Sequence, residues 1–291
     1  MNDNEKTISA DFPLTDDILS PTDDYIFKLL FGSEGGIDDL TKVLKSVLRF
    51  SDDDYSEITI IDPHLIREHK DDKLGILDVK VQTKSGELVN VEIQVKPSPE
   101  LRERVTFYTA KMLAGQIKSG DKYSKIKRVV SIIITDHILI QENNTYHNRY
   151  TLYDPKTGSE FSNVMEIHSI ELPKSPLSDD GTELWWWTKF LSAKSKEEFI
   201  MLANQNPQVK NAVVRLMELS ADERTRMINE SIQKRDWDNR AREDYARKQG
   251  RAEGRAEIAR NLVDLNVPIE QIEKSTGLTR KEIEMLKPNL Q

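Results

Sequence analysis

Residues 75–97, GILDVKVQTKSGELVNVEIQVKP, constrain the fold more than any other stretch: they alternate with the two-residue period of a strand and reverse once. Ile76, Asp78, Lys80 and Gln82 fall on one face and Leu77, Val79 and Val81 on the other. Lys84-Ser85-Gly86-Glu87 supplies the turn. The return strand divides Val89, Val91, Ile93 and Val95 from Asn90, Glu92, Gln94 and Lys96. Asp78, Glu92 and Gln94 therefore lie on the polar faces of two neighbouring strands. Two carboxylates held close together repel unless a cation stands between them, and a hard divalent ion with oxygen ligands meets that need.

Charge bears on what such a pocket would act upon. The net charge of −8 argues at first sight against a nucleic-acid partner. Its distribution argues the other way: residues 1–79 hold 19 acids against 8 Lys/Arg, whereas residues 96–128 hold 9 Lys/Arg against 3 acids. A basic segment directly after an acidic, metal-ready hairpin suits a phosphate-backbone substrate, since cations neutralise phosphates and the acids need a metal between them and the substrate. The other reading of that segment is a solvated basic helix.

At 291 residues the chain can build one large core or a few smaller ones. It has no cysteine, which excludes disulfides, thiolate metal sites and cysteine nucleophiles. No window approaches ~18 continuous apolar residues, and MNDNEKTISADF lacks a signal-peptide plan, so no membrane association and a cytoplasmic location are expected. The histidines His64, His69, His137, His147 and His168 form no zinc-binding pattern, and no phosphate-binding Walker loop or serine-nucleophile elbow is present.

In chain order, residues 1–20 read as a polar lead-in. Thr22 or Asp23 caps a helix rich in apolar residues from Tyr25 to Phe31, and a second helix runs from Ile37 to Phe50 with Leu40, Val43, Leu44 and Val47 on one side. Ser56 to Arg67 reads as a strand with Pro63 at a bulge or edge. After the hairpin, Glu100 to Ser119 turns helical, with Arg104, Tyr108, Lys111 and Gln116 able to line a neighbouring edge. Val129 to Ile140 is the most strongly β-branched run in the chain and reads as a buried central strand. Two further strands are expected at Arg149–Asp154 and Phe161–Leu172, and a linker at Pro173–Gly181. Helices follow, and the Trp185-Trp186-Trp187 cluster reads as core packing. The tandem GRAEGRAE at 250–257 suits a slender helical connector or a dimer seam. Ile269, Ile272, Gly277, Leu278 and Ile283 then match helix-turn-helix spacing, with Thr279 and Glu282 as a capping box. The expected divisions are 1–20, 21–175, 176–248 and 249–291.

Helix, three strands bearing Asp and Glu-x-Gln, basic helix, strand is the αβββαβ order of the PD-(D/E)xK nuclease superfamily, an α/β, restriction-endonuclease-like core with a mixed sheet, here followed by an all-α region. More narrowly the chain resembles the recombination-promoting nuclease and transposase family of bacteria. The resemblance rests on SPTDDYIFKLLFG (20–32), LDVKVQTKSGELVNVEIQ (77–94), and Arg104, Tyr108, Gln116, Gly120 and Tyr123. It extends to GRAEGRAE and the C-terminal helices.

The resemblance implies a metal-dependent DNA endonuclease using Mg2+, with Mn2+ or Ca2+ as alternatives, and a recombination or mobile-element role. Asp78, Glu92 and the main-chain carbonyl of Ile93 would hold the metal. Asp24 would be the upstream acid, its other reading being a helix cap. Gln94 stands where the wider superfamily often has a lysine; it can hydrogen-bond a water but brings no charge, so Lys96, Lys28 or a second metal would share that task. Arg104, Lys111 and Gln116, with Lys28 and Lys96, would contact DNA. A double-strand cut from one site per chain favours a homodimer. The rival reading is a catalytically inactive, nuclease-fold protein that binds DNA or a partner.

Overall fold

The computed structural model describes residues 17–62 and 78–286. Ile76 and Leu77 at the head of the hairpin, Pro63 and the strand expected on to Arg67, His64, His69 and nearly all of the lead-in lie outside the described residues.

The first helix, α1 (Asp24–Phe31), starts from an extended Asp23 and turns Ile26, Phe27, Leu30 and Phe31 inward. Gly36 follows it where a Cβ would collide with the Leu30 carbonyl, so the chain turns back tightly there. Helix α2 (Ile37–Val47) buries Leu40, Val43, Leu44 and Val47. It stops three residues short of Phe50: Leu48 is already extended, and its carbonyl accepts the Tyr55 hydroxyl at 3.0 Å.

Six strands follow: β1 (Thr59–Ile60), β2 (Val79–Gln82), β3 (Leu88–Gln94), β4 (Val129–Thr135), β5 (His147–Tyr153) and β6 (Glu160–Glu171). They form one mixed sheet in the order β1-β2-β3-β4-β6-β5. The hairpin β2–β3 is antiparallel in the register Val79 to Val91 and Val81 to Val89. Its turn carries Gly86 at φ +90°, where a side chain would be strained, and closes with Gly86 N–H donating to Thr83 O at 2.9 Å. Helix α3 (Leu101–Ala114) then crosses over so that β4 lies parallel to β3, and β6 parallel to β4. The order α1, β1, β2, β3, α3, β4 is the expected αβββαβ plan.

Every residue of β4 is buried, as its apolar run requires. The strand ends at Thr135, earlier than Ile140, because the Thr135 hydroxyl caps His137 O and the Glu171 carboxylate gathers the N–H groups of Leu139 and Ile140 into a loop. Lys174 lies 2.9 Å from the same carboxylate.

Val79, Val81, Val89, Val91, Ile132 and Ile134 face one large core shared with α1, α2 and three later helices. These are α4 (Glu183–Ser192), α5 (Lys196–Gln205) and α6 (Pro207–Ala221). Residues beyond 176, set apart in the sequence as a helical region, thus bury Leu184, Trp187, Phe190, Phe199 and Val213 in the same core as the sheet. Trp187 packs edge-on against Phe31 and Phe190, and Trp185 donates its ring N–H to Pro176 O at 2.8 Å, so the tryptophans are packing groups. On the opposite face α3 lays Leu101, Val105 and Met112 over Ile133 and Val129.

The described residues up to 226 form one compact unit and those from 227 a second. Helix α7 (Glu223–Asp264) runs unbroken through GRAEGRAE, because Ala, Arg and Glu around Gly250 and Gly254 are strong helix formers. In the second unit α8 (Ile269–Thr276) and α9 (Arg280–Met285) close on Ala259 through Ile272 and Ile283. Gly277 turns at φ +69°, and Thr279 and Glu282 form the expected capping box. No helix among the described residues is long and apolar enough to cross a membrane.

Candidate active site

Alternation along the hairpin makes the site. With Val79 and Val91 paired and buried, Asp78 one step earlier comes beside Glu92 and Ile93. The Ile93 N–H donates to Asp78 Oδ2 at 3.0 Å, while Lys28 Nζ approaches Asp78 Oδ1 at 3.1 Å. Lys28 reaches there from α1, where it also bonds Asp24 Oδ2 at 2.9 Å, one helical turn away. On the other side Arg104 of α3 donates to Glu92 Oε1 at 2.9 Å and to Gln94 Oε1 at 2.6 Å. The Gln94 amide nitrogen donates to Lys96 O at 3.1 Å.

Burial and charge set the protonation of this group. Asp78 is pushed up to about 7, first by burial and then by the Asp24 charge, against the pull of Lys28 and the Ile93 N–H. Burial also raises Glu92, against the Arg104 guanidinium. For Lys28 burial works downward, but Asp78 and Asp24 together leave it above its ordinary value. The pocket therefore combines two largely buried carboxylates with two cations that offset them.

The residues singled out from the sequence divide in two. Asp24, Lys28, Asp78, Glu92, Ile93, Gln94 and Arg104 come together, with the Lys96 main chain at the margin. Lys111 lies two turns further along α3, about 10 Å along its axis from Arg104. Gln116 is spent on structure: its amide accepts from Lys127 N–H and donates to Lys127 O, both at 2.8 Å. Tyr108 packs beside Met112 and Val129.

One polar cluster went unread in the sequence. Glu166 on β6 is buried and bonded to His168 Nε2 at 2.5 Å, to Arg149 Nε at 2.8 Å and to Arg128. Burial would raise Glu166, but those three partners hold it well below the usual carboxylate range. His147 stacks on His168 and is pushed down to about 4 by burial and the neighbouring ring. The signal available was the spacing of Glu166 and His168 in NVMEIHSIE, two apart and therefore on one face of a strand.

A divalent cation fits the donor set at Asp78 and Glu92 in kind: both offer hard carboxylate oxygens and main-chain groups of β3 adjoin them, though the ion would have to displace Lys28 and Arg104 from those oxygens. Among the described residues no group of three or more His, Cys, Asp or Glu stands ready to hold a metal, so water or substrate oxygens would complete the shell.

No curated protein and no solved structure matched the chain. A family model described as PD-(D/E)XK nuclease family transposase matches residues 21–246, which takes in α1, the hairpin, α3, the rest of the sheet and most of α7. With its core order, its acid pair and that match over most of its length, the chain belongs to the PD-(D/E)XK nuclease family transposases.

Proposed function

We propose that this protein is a Mg2+-dependent DNA endonuclease whose centre is Asp78 and Glu92, and that it serves recombination or a mobile element. The observation that carries the reading is the meeting of these two buried carboxylates on adjacent strands, flanked by Lys28 and Arg104. Family membership supports nuclease activity on DNA, and nucleases of this class generally use divalent metals.

In this reading Asp78, Glu92 and the Ile93 carbonyl hold the ion. Bound there, it supplies Lewis acidity toward water and a phosphate oxygen. The chain's own residues do the rest. Gln94 orients the attacking water through its amide, as a hydrogen-bonding group without charge. Asp24 bonds that water or its neighbour at the head of α1. Arg104 exchanges Glu92 for a phosphate oxygen, for which its planar fork is suited, and Lys28, Lys96 and Lys111 add positive charge along the backbone track.

The test is plasmid cleavage in Mg2+, Mn2+, Ca2+ or EDTA by the wild type, Asp78→Ala and Glu92→Ala. Cleavage in Mg2+ that EDTA and both substitutions abolish supports the reading. Intact plasmid with wild-type protein under every ion, alongside measurable DNA binding, would establish the inactive DNA-binding protein instead.

A further inference from the structure

On the α3 face of the sheet, α3 packs over β4 and β6. Beside it opens a cleft of about 470 Å³, walled by Val105, Ile133, Leu139, Ile140 and Ile167. That is about three times the ~150 Å³ of an apolar cavity able to admit benzene, and it lies within the range of small-molecule pockets. The cleft opens on the side of α3 that carries Arg102, Val105 and Thr106.

Most of its polar side chains are engaged. At the rim Arg102 bonds Glu142 at 3.2 Å and the Leu139 carbonyl at 3.4 Å. Asn143 bonds Asn148 and the Thr145 N–H, and the Thr106 hydroxyl donates to Arg102 O. The exceptions are Tyr150, a half-exposed residue of the lining whose hydroxyl has no protein partner among the described residues, and Ser169, which lines the cleft, is 2 % exposed, and has a hydroxyl with no hydrogen-bond partner among the described residues. A buried hydroxyl left unpaired is costly, and such groups in native proteins usually have a partner.

We infer that this cleft is a binding site for a small neutral molecule with an apolar, ring-sized body and one hydroxyl or carbonyl group, which bonds the Ser169 hydroxyl. Charge is excluded by the walls, five aliphatic side chains, and by a rim whose Arg102 and Glu142 neutralise each other. A peptide is disfavoured because each residue brings an N–H and a C=O that need partners, and among the lining side chains only the Ser169 and Tyr150 hydroxyls are open. This site is separate from the acid pair and does not rest on the nuclease reading.

The experiment is methyl-resolved NMR of the full chain, following Ile133, Leu139, Ile140 and Ile167 during titration with para-ethylphenol and with para-ethyltoluene, its analogue without the hydroxyl. Saturable shifts of these methyls are expected, with the phenol binding about tenfold more tightly, a preference that Ser169→Ala removes. Ile167→Trp, which fills the cleft, abolishes binding of both. Should that variant fail to fold, Thr106→Trp on the exposed side of α3 blocks the same opening. The inference is overturned by an absence of saturable shifts, or by equal affinity for the two compounds in both wild type and Ser169→Ala. It is also overturned if the methyl shifts follow protein concentration without ligand, which would assign the cleft to a second copy of the chain.

Discussion

Arg104 Nη2 lies 2.9 Å from Glu92 Oε1, so a side chain from the helix packed on that face of the sheet holds one member of the acid pair. A cation entering the site and Arg104 compete for the same carboxylate. Arg104→Gln is therefore expected to bind Mn2+ severalfold more tightly in the absence of DNA, and to bind DNA more weakly. Calorimetric titration of each ligand separately checks both halves, and unchanged Mn2+ affinity would contradict the competition.

Asp78 stores a pH-dependent cost. Its folded-state pKa of about 7 lies above that of an unfolded aspartate, so the folded protein binds the extra proton and stability falls as pH rises from about 4 to 7. Asp78→Asn removes that loss. In EDTA the variant is expected to be more stable than the wild type at pH 8 by about 1–3 kcal/mol, with the difference closing toward pH 4. Urea unfolding at the two pH values measures it.

His147 works in the opposite direction. Held down to about 4, it is neutral in the folded protein while an unfolded histidine protonates near pH 6.5, so its contribution is whole above that and is lost as pH falls toward 4. His147→Gln should flatten this part of the acid limb by roughly 2 kcal/mol. A stability profile for the variant as steep as that of the wild type between pH 6.5 and 4 would falsify the assignment.

Because α4 to α6 complete the sheet's large core, their aromatic groups should matter as much as the strands do. Phe190→Ala removes a fully buried ring packed against Trp187, Phe31 and Phe199, and is expected to cost ~3–5 kcal/mol. A chain ended at residue 175 should fail to fold cooperatively, which circular dichroism during denaturation would register.

What could be read in advance follows from how local each cause is. The hairpin, its turn at Gly86 and the proximity of Asp78 and Glu92 come from a two-residue alternation that neighbouring residues impose by themselves. The Thr279–Glu282 cap and the turn at Gly277 are local in the same sense. The Arg104 grip on Glu92 and Gln94 joins residues ten or more apart through the packing of α3, and no spacing announces it. Gln116 looked like a phosphate contact because it sits on a basic segment, but it spends its amide on the Lys127 main chain. The Glu166 cluster draws on β5 and β6 together with Arg128, the residue before β4, so it exists only once the sheet is ordered. Helix α7 ran through its two glycines because helix propensity is summed over many residues, and two weak positions do not outweigh their neighbours.

The pairing of Val79 with Val91 has a consequence for how this protein can change over time. A one-residue slip of β2 would expose Val79 and Val81, which are now almost completely buried, as it carried Asp78 away from Glu92. Backbone drift that spoils the acid pair thus also spoils the core, and selection for folding alone preserves the geometry. Either acid can be lost by replacing a single side chain, whereas the frame that presents it persists, so descendants that had lost the pair would still carry a ready template for regaining it.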